Sequence, residues 1–217
     1  MLFVSPYGIT EAMTDVKRGR PLAHDRDELL HAARTVAVAR GFDALRFADV
    51  SAATGVPVSS LQYAFGTRDA LVREVLRSAV ADELGRLREA IDREIDPWRR
   101  IERFIRLGIS IEDDRRREGW LLWIEYWRAA SRDPDLRAES SEISRAWRAL
   151  LTRAVEDGVL TGRFTIDGTP EEMAAALVAL VDGLSLQVEV GDRRMRSARA
   201  IRSATHAARR ILGVDHR

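Results

Sequence analysis

The sequence predicts an all-α protein of about nine or ten helices, with a three-helix N-terminal domain followed by a larger helical C-terminal domain. Apolar residues recur at helical spacing through most of the chain. Aspartate–proline, threonine–proline and glycine signals mark where helices begin and end. No segment of useful length alternates apolar and polar residues as a strand does, and no internal repeat is found.

The first predicted helix covers residues 26–40 and follows an irregular segment. Residues 1–22 contain scattered prolines and glycines, so we expect a flexible extension there. In residues 26–40 the apolar side chains follow helical spacing, and Gly41 ends the helix.

Residues 42–71 carry the pattern of a helix-turn-helix. Phe47 and Val50 anchor a short amphipathic helix, and Gly55 ends it at a position that favours a left-handed residue. A second helix of about six residues follows, with Pro57 in its first turn. Helices this short are not stable alone, so we expect them to pack on the helix of residues 26–40. The pattern indicates DNA binding.

The C-terminal domain is predicted to consist of longer helices. They cover about residues 68–95, 97–111, 119–131, 134–157, 170–190 and 193–212. The first of them looks like the connector between the two domains. The charged run 112–118 is expected to be a solvated turn, and the loop 158–168 to hold a short extended piece.

The composition excludes several classes of protein. No apolar run approaches the roughly 18–20 residues that span a bilayer, and the N-terminus lacks the features of a signal peptide. A cytoplasmic protein without a membrane partner is therefore the simplest interpretation. Cysteine is absent, the four histidines lack metal-ligand spacing, and no glycine-rich phosphate loop follows a strand. We expect no enzymatic activity, no metal and no cofactor.

The formal net charge is only +1, so the chain is not polybasic overall. Any contact with nucleic acid must be local, and a dimer must provide it twice.

The stretch GVPVSSLQYAFGTRDAL, preceded by Phe42 and the segment FADVSAAT, resembles the DNA-binding domain of the TetR family of bacterial transcriptional regulators. WLLWIEYWRAASRDPDLR and ALVDGLSLQ resemble, more loosely, the BetI-like subgroup of that family. The resemblance implies a DNA-binding domain over residues 23–72 and a ligand-binding and dimerisation domain over residues 73–217. It further implies a homodimer that binds a double-stranded DNA operator and a small-molecule effector.

Three positions depart from the family pattern. Gln62 stands where the family commonly has a tyrosine, and Tyr63 follows one place later. Arg68 replaces the common lysine at the start of the helix predicted for residues 68–95. Arg46 replaces the usual threonine or serine before the short helix anchored by Phe47 and Val50.

The resemblance implies that the second helix of the pair enters the major groove. The core takes Val56, Leu61 and Phe65, so the side chains left to face DNA are Pro57, Val58, Ser59, Gln62 and Tyr63. Gln62 is expected to bond adenine, and Val58 to pack on a thymine methyl. Ser59 and Tyr63 suit phosphates. For any one of these residues, an ordinary solvent-exposed position is the alternative.

Further DNA contacts are expected on both sides of the helix pair. Arg46 and Arg68 are candidate phosphate clamps, and Thr67 is both an N-cap and a candidate contact. Lys17, Arg18 and Arg20 form a basic arm that either enters a minor groove or only solubilises the extension.

Aromatic residues dominate the candidate effector site. Trp120, Trp123 and Trp127 lie on one helix stripe, with Phe104 on a neighbouring helix. Such a stripe is usually core, but the resemblance favours the wall of an effector cavity. An apolar or aromatic effector is expected. Glu125 and Asp182 are candidate partners for a cationic one; the alternative is that each pairs with a nearby arginine or faces solvent.

Dimerisation is expected through the helices 134–157 and 170–190, packed as a four-helix bundle. The candidates for its seam are Trp147, Leu150, Leu151, Leu177, Leu180, Leu184 and Val188, some of which must face the protomer's own core. The resulting prediction is a repressor that leaves a palindromic operator when the effector tilts the connector helix of residues 68–95. The alternative is a helical ligand-binding or adaptor protein without DNA binding.

Overall fold

The computed structural model describes residues 25–109, 114–191 and 196–214, and only the backbone of residues 114–116. Nine α-helices and one 3-10 turn, and no strand, occur within these ranges. The predicted all-α class is therefore confirmed. The extension 1–22 lies outside the described residues, and so does its basic arm.

The N-terminal domain contains α1 (Arg26–Arg40), a 3-10 turn (Phe42–Ala44), α2 (Phe47–Thr54) and α3 (Val58–Phe65). Gly55 ends α2 with φ +74°, the left-handed conformation expected from the sequence. α3 is longer than predicted, because Gly66, with φ +72°, is the residue that ends it. Pro57 is the N-cap of α3 rather than its first helical residue.

The other helices are α4 (Arg68–Asp92), α5 (Pro97–Ile109), α6 (Asp114–Ala130), α7 (Pro134–Leu160), α8 (Pro170–Glu189) and α9 (Ser197–Ile211). The predicted starts at Pro97, Pro134 and Pro170 are confirmed. In each case the residue before the proline accepts a backbone hydrogen bond through its side chain. α4 ends before Ile95, which is 91% exposed and has no core to pack on.

Two predicted loops are partly helical. The charged run 112–118 was expected to be a turn, but α6 already begins at Asp114, and Glu118 pairs with Arg34 of α1. α7 continues past residue 157 through Gly158. This glycine allows a close approach, since a Cβ there would lie 2.0 Å from Phe164 Cδ2. No strand forms in residues 158–168, although Thr165 N donates to Leu212 O at 3.0 Å.

The buried apolar side chains form two clusters. The first joins α1, α2, α3 and the N-terminal half of α4 to Leu122 and Tyr126 of α6. The second joins the end of α4 to α5, α7, α8 and α9. α4 therefore contributes to both cores, and part of α6 belongs to the core of the N-terminal domain. The boundary between residues 72 and 73 remains a prediction.

Candidate DNA-binding surface and effector cavity

α3 presents a polar outer face. Pro57, Ser59 and Gln62 are exposed, and Tyr63 is 66% exposed. Val58 is half-buried against the first core cluster, so only part of its side chain is accessible. Leu61 and Phe65 are buried, as predicted, and hold α3 against the rest of the domain.

Arg68 is fastened to the protein's own backbone. Its Nε donates to Leu45 O at 3.1 Å and its Nη2 to Phe42 O at 2.5 Å. Its Nη1 pairs with Asp69 at 2.9 Å. The guanidinium thus ties the first turn of α4 to the segment that precedes α2. The phosphate contact expected of this residue remains a prediction.

Arg46 also turns back toward the backbone. Its Nη1 donates to Asp43 O at 2.8 Å and to Leu45 O at 3.0 Å. Thr67 accepts a hydrogen bond from Ala70 N at 3.1 Å, which confirms it as the N-cap of α4. The arm residues Lys17, Arg18 and Arg20 lie outside the described residues.

A cavity of about 290 Å³ lies between α4, α5, α6, α7 and α8. Its walls include Phe104, Trp120, Trp123 and Trp127, as the sequence predicted for an effector site. The sequence reasoning did not identify Glu83 of α4, or Ser144 and Arg148 of α7, as wall residues. No local pattern distinguishes these from ordinary helix positions.

The tryptophans of the cavity wall contact one another edge to face. Trp120 and Trp127 lie 5.7 Å apart between ring centroids, and Trp123 lies 5.7 Å from Trp147. The buried indole N–H groups of Trp120 and Trp147 have no hydrogen-bond partner within the described residues. Ring packing, rather than hydrogen bonds from these two groups, therefore holds them in place.

The two candidate carboxylates for a cationic effector differ. Asp182 lies in the cavity wall, and burial raises its pKa to about 6. Glu125 does not line the cavity; its carboxylate pairs with Arg128 at 2.9 Å. Glu125 thus has the pairing with a nearby arginine that the sequence analysis gave as the alternative to an effector contact.

α6 has two different faces. Trp120, Trp123 and Trp127 line the cavity. Leu122 and Tyr126, on another side of the helix, are buried in the core shared with the N-terminal domain. A displacement of α6 at the cavity therefore also displaces residues in that core.

Four of the seven residues expected at a dimer seam are not available for one. Trp147 lines the cavity and contacts Phe104 with a centroid distance of 6.1 Å. Leu150, Leu151 and Leu177 are buried in the protomer's own core. Helical spacing groups residues on one face without showing which neighbour covers it.

The other three seam candidates, Leu180, Leu184 and Val188, are half-buried in α8. On the same helix, Ala176, Gly183, Leu186 and Gln187 are exposed, as is Val190, the C-cap that follows it. Between residues 176 and 190 the exposed face of α8 is thus mostly small and apolar.

Comparisons with known proteins agree with this architecture. Residues 29–75 match the family of bacterial regulatory proteins of the tetR type. Residues 97–213 match the family of C-terminal domains of BetI-type transcriptional repressors. The HTH-type transcriptional repressor KstR2 of Rhodococcus jostii (strain RHA1) is 26% identical over 147 residues, which are 67% of this chain and 70% of that protein.

Solved structures share the fold. A transcriptional regulator from Saccharomonospora viridis in complex with choline has a TM-score of 0.74 and 23% identity, over 83% of this chain and 93% of that one. E. coli NemR in its reduced form has a TM-score of 0.69 and 23% identity, over 86% of this chain and 96% of that one.

Within the described residues, no helix combines the length and apolarity needed to cross a membrane. The matched families consist of transcriptional regulators rather than enzymes. The chain is a TetR-family transcriptional regulator with a C-terminal domain of the BetI type.

Proposed function

We propose that this regulator is a homodimeric repressor that binds a palindromic operator and leaves it when a small effector enters the tryptophan-lined cavity. The two faces of α6 carry the proposal. One face lines the cavity, and another is buried in the core of the DNA-binding domain. An effector that favours a different position of α6 would therefore also change the position of that domain.

Direct contacts with bases are assigned to α3. Gln62 is exposed on its outer face, and a glutamine amide bonds adenine N6 and N7 together. Ser59 and Tyr63 are exposed beside it and are assigned to phosphates, together with Thr67. Arg46 and Arg68 keep guanidinium N–H groups beyond those bonded to the backbone, so both remain proposed phosphate contacts.

Dimerisation is assigned to the exposed face of α8, packed with α7 against the same two helices of a second copy. Gly183 and Leu186 are exposed on α8 beside the half-buried Leu184 and Val188, so a second copy that covers this face would bury apolar surface. The dimer would place two α3 helices at half-sites roughly 34–36 Å apart.

The cavity suits an effector with an aromatic or apolar body and a positive charge. Aromatic faces attract cations, and four tryptophans line this cavity. Asp182 supplies a carboxylate whose desolvation a cationic group would compensate. Glu83, the other acid in the wall, already pairs with Arg86 at 2.6 Å. The choline bound by the regulator from Saccharomonospora viridis is also an organic cation.

Selection from a pool of random DNA duplexes tests the DNA-binding function. The full chain is incubated with the pool, and bound duplexes are amplified and sequenced. We expect an inverted repeat whose half-site centres lie one helical turn apart, bound by two chains per duplex. Recovery of no common sequence would instead support a helical ligand-binding or adaptor protein.

A pair of isosteric probes tests the effector class. Benzyltrimethylammonium and neopentylbenzene have the same shape and differ in one charged atom. Tryptophan fluorescence should report tighter binding of the cation, and Asp182→Asn should remove that preference. Arg148→Gln, which changes another charged residue of the cavity wall, is the matched control and should keep the preference. Equal binding of both probes to the unmodified protein would exclude a charge-selective site.

A further inference from the structure

Arg34 of α1 forms ion pairs with both of the helices that meet beside the cavity. It is the one buried residue among the charged residues that the structure describes, with 9% of its surface exposed. Its Nε lies 3.3 Å from Glu118 Oε1 of α6, and its Nη1 lies 3.7 Å from Asp82 Oδ2 of α4. One side chain of the DNA-binding domain is thus held by two carboxylates from different helices.

Both carboxylates are close in sequence to the cavity wall. Asp82 directly precedes Glu83, and Glu118 is two residues before Trp120; Glu83 and Trp120 both line the cavity. α4 and α6 are in close contact at this level, since a Cβ on Gly119 would lie 3.3 Å from Glu83 Oε2. Any widening of the gap between α4 and α6 therefore draws apart Asp82 and Glu118, the two carboxylates that hold Arg34.

The guanidinium is planar and rigid, so it cannot lengthen to follow two carboxylates that move apart. Leaving a buried arginine without one of its partners is unfavourable, because its charge is no longer compensated. When α4 and α6 separate by more than the side chains of Asp82 and Glu118 can follow, α1 must therefore move with one of them or lose an ion pair.

A movement of α1 reaches α3 through a direct bond. Arg26, in the first turn of α1, donates from Nη1 to Ala64 O of α3 at 3.0 Å. Its guanidinium also lies 4.5 Å from the centroid of the Phe65 ring. α1 and α3 further share the first core cluster. A shift of α1 therefore changes the position of the recognition helix.

We propose that Arg34 is a positioning residue that couples the spacing of α4 and α6 to the placement of α3 on DNA. This coupling rests on the proposed operator binding. It adds a connection through α1 to the expected tilt of α4, and it depends on the two carboxylates Asp82 and Glu118.

A wedge variant tests the coupling without any effector. Gly119→Leu introduces a branched side chain toward Glu83, which can turn only its carboxylate aside, so we expect the leucine to push α4 and α6 apart; Gly119 is helical, so its backbone accepts the change. We expect Gly119→Leu to weaken binding of the selected operator about tenfold. In the background of Glu118→Gln, which removes the charge on the α6 side, the same wedge should weaken binding by about threefold or less.

Glu139→Gln is the matched control. It removes an ion pair between α7 and Arg77 of α4 that does not involve α1. In this background the wedge should keep its full effect. Circular dichroism and thermal melting check that every variant is folded. Gly119→Val provides a smaller wedge for the same cycle if the leucine variant does not fold.

The outcomes separate the two proposals. A wedge that weakens operator binding equally with and without Glu118, or that has no effect at all, overturns the coupling through Arg34. Failure of the unmodified chain to bind any duplex overturns the proposed function instead. A reduced wedge effect in Glu118→Gln but not in Glu139→Gln supports the coupling.

Discussion

Arg128 of α6 donates from Nη2 to Asp43 Oδ1 in the 3-10 turn at 2.8 Å. This hydrogen bond is the first cause that holds the pKa of Asp43 below its usual value. Trp127, the residue before Arg128, lines the cavity. The pair therefore connects the cavity helix to the turn that precedes α2, at the opposite end of the tryptophan stripe from Glu118.

Arg128→Gln should weaken communication between cavity and operator. Arg128 does not line the cavity, so the affinity for benzyltrimethylammonium should be unchanged. The loss of operator affinity caused by saturating benzyltrimethylammonium should fall severalfold. Fluorescence titration and operator binding measure the two quantities separately. Arg145→Gln, which changes an exposed arginine of α7, is the control. An unchanged effect in Arg128→Gln would show that this pair has no part in the response.

Arg68 should contribute to both stability and DNA affinity. Arg68→Ala removes one of the two donors to each of the carbonyls of Leu45 and Phe42, which keep Arg46 Nη1 and Leu45 N, and should lower the free energy of unfolding by about 1–2 kcal/mol. It should also reduce the salt slope, the dependence of the logarithm of the operator binding constant on the logarithm of the salt concentration, by roughly one unit. Arg68→Lys keeps the charge but not the planar fork, so it should restore the slope while remaining less stable.

Urea unfolding and operator binding between 50 and 200 mM salt separate these roles of Arg68. If Arg68→Ala unfolds at the same urea concentration as the unmodified protein, the backbone bonds do not stabilise the fold. If its salt slope is unchanged, Arg68 does not contact phosphate.

Gln62→Ala should reduce sequence discrimination. The lost amide bonds should cost about 1–3 kcal/mol at one base pair of each half-site and leave the other positions unaffected. Ser59→Ala is the comparison, because a lost phosphate contact should weaken all operator variants alike. Binding to a panel of single-base operator variants distinguishes the two patterns. A uniform loss in Gln62→Ala would contradict base contact.

Asp182→Asn should stabilise the protein in a pH-dependent way. The pKa of Asp182 is raised from 3.8 to about 6 in the folded state, so its ionised form destabilises the fold above that pH. At pH 7.5 the variant should gain roughly 2 kcal/mol. This gain in stability should shrink as the pH falls from 7.5 to 5. The Asp182 carboxyl becomes protonated, and so loses its unfavourable charge, at a higher pH in the folded protein than in the unfolded chain. A gain that does not vary with pH would assign the effect to packing.

Much of the fold was predictable because helix ends are determined locally. Thr67 and Asp133 accept hydrogen bonds from backbone N–H groups within a few residues of themselves. Gly55 adopts the positive φ that ends α2. These interactions need no partner from elsewhere in the chain, so residue type and spacing indicate them.

The parts that were not predictable depend on distant partners. Glu118 belongs to a helix rather than a turn, and its side chain bonds Arg34, 84 residues away. Trp147 and Leu151 lie on the same helix, yet one lines the cavity and the other is buried in the protomer core. Spacing along one helix gives the relative orientation of its residues, but tertiary packing determines what each face contacts.

The central claim is that cavity and operator communicate, and reciprocity tests it most directly. The affinity of benzyltrimethylammonium is measured by tryptophan fluorescence on the free protein and on the protein saturated with its selected operator. Thermodynamic linkage requires a probe that releases the operator to bind the operator complex more weakly, by the same factor. We predict a reduction of about tenfold on the operator complex. Equal affinities in the two states would contradict the account.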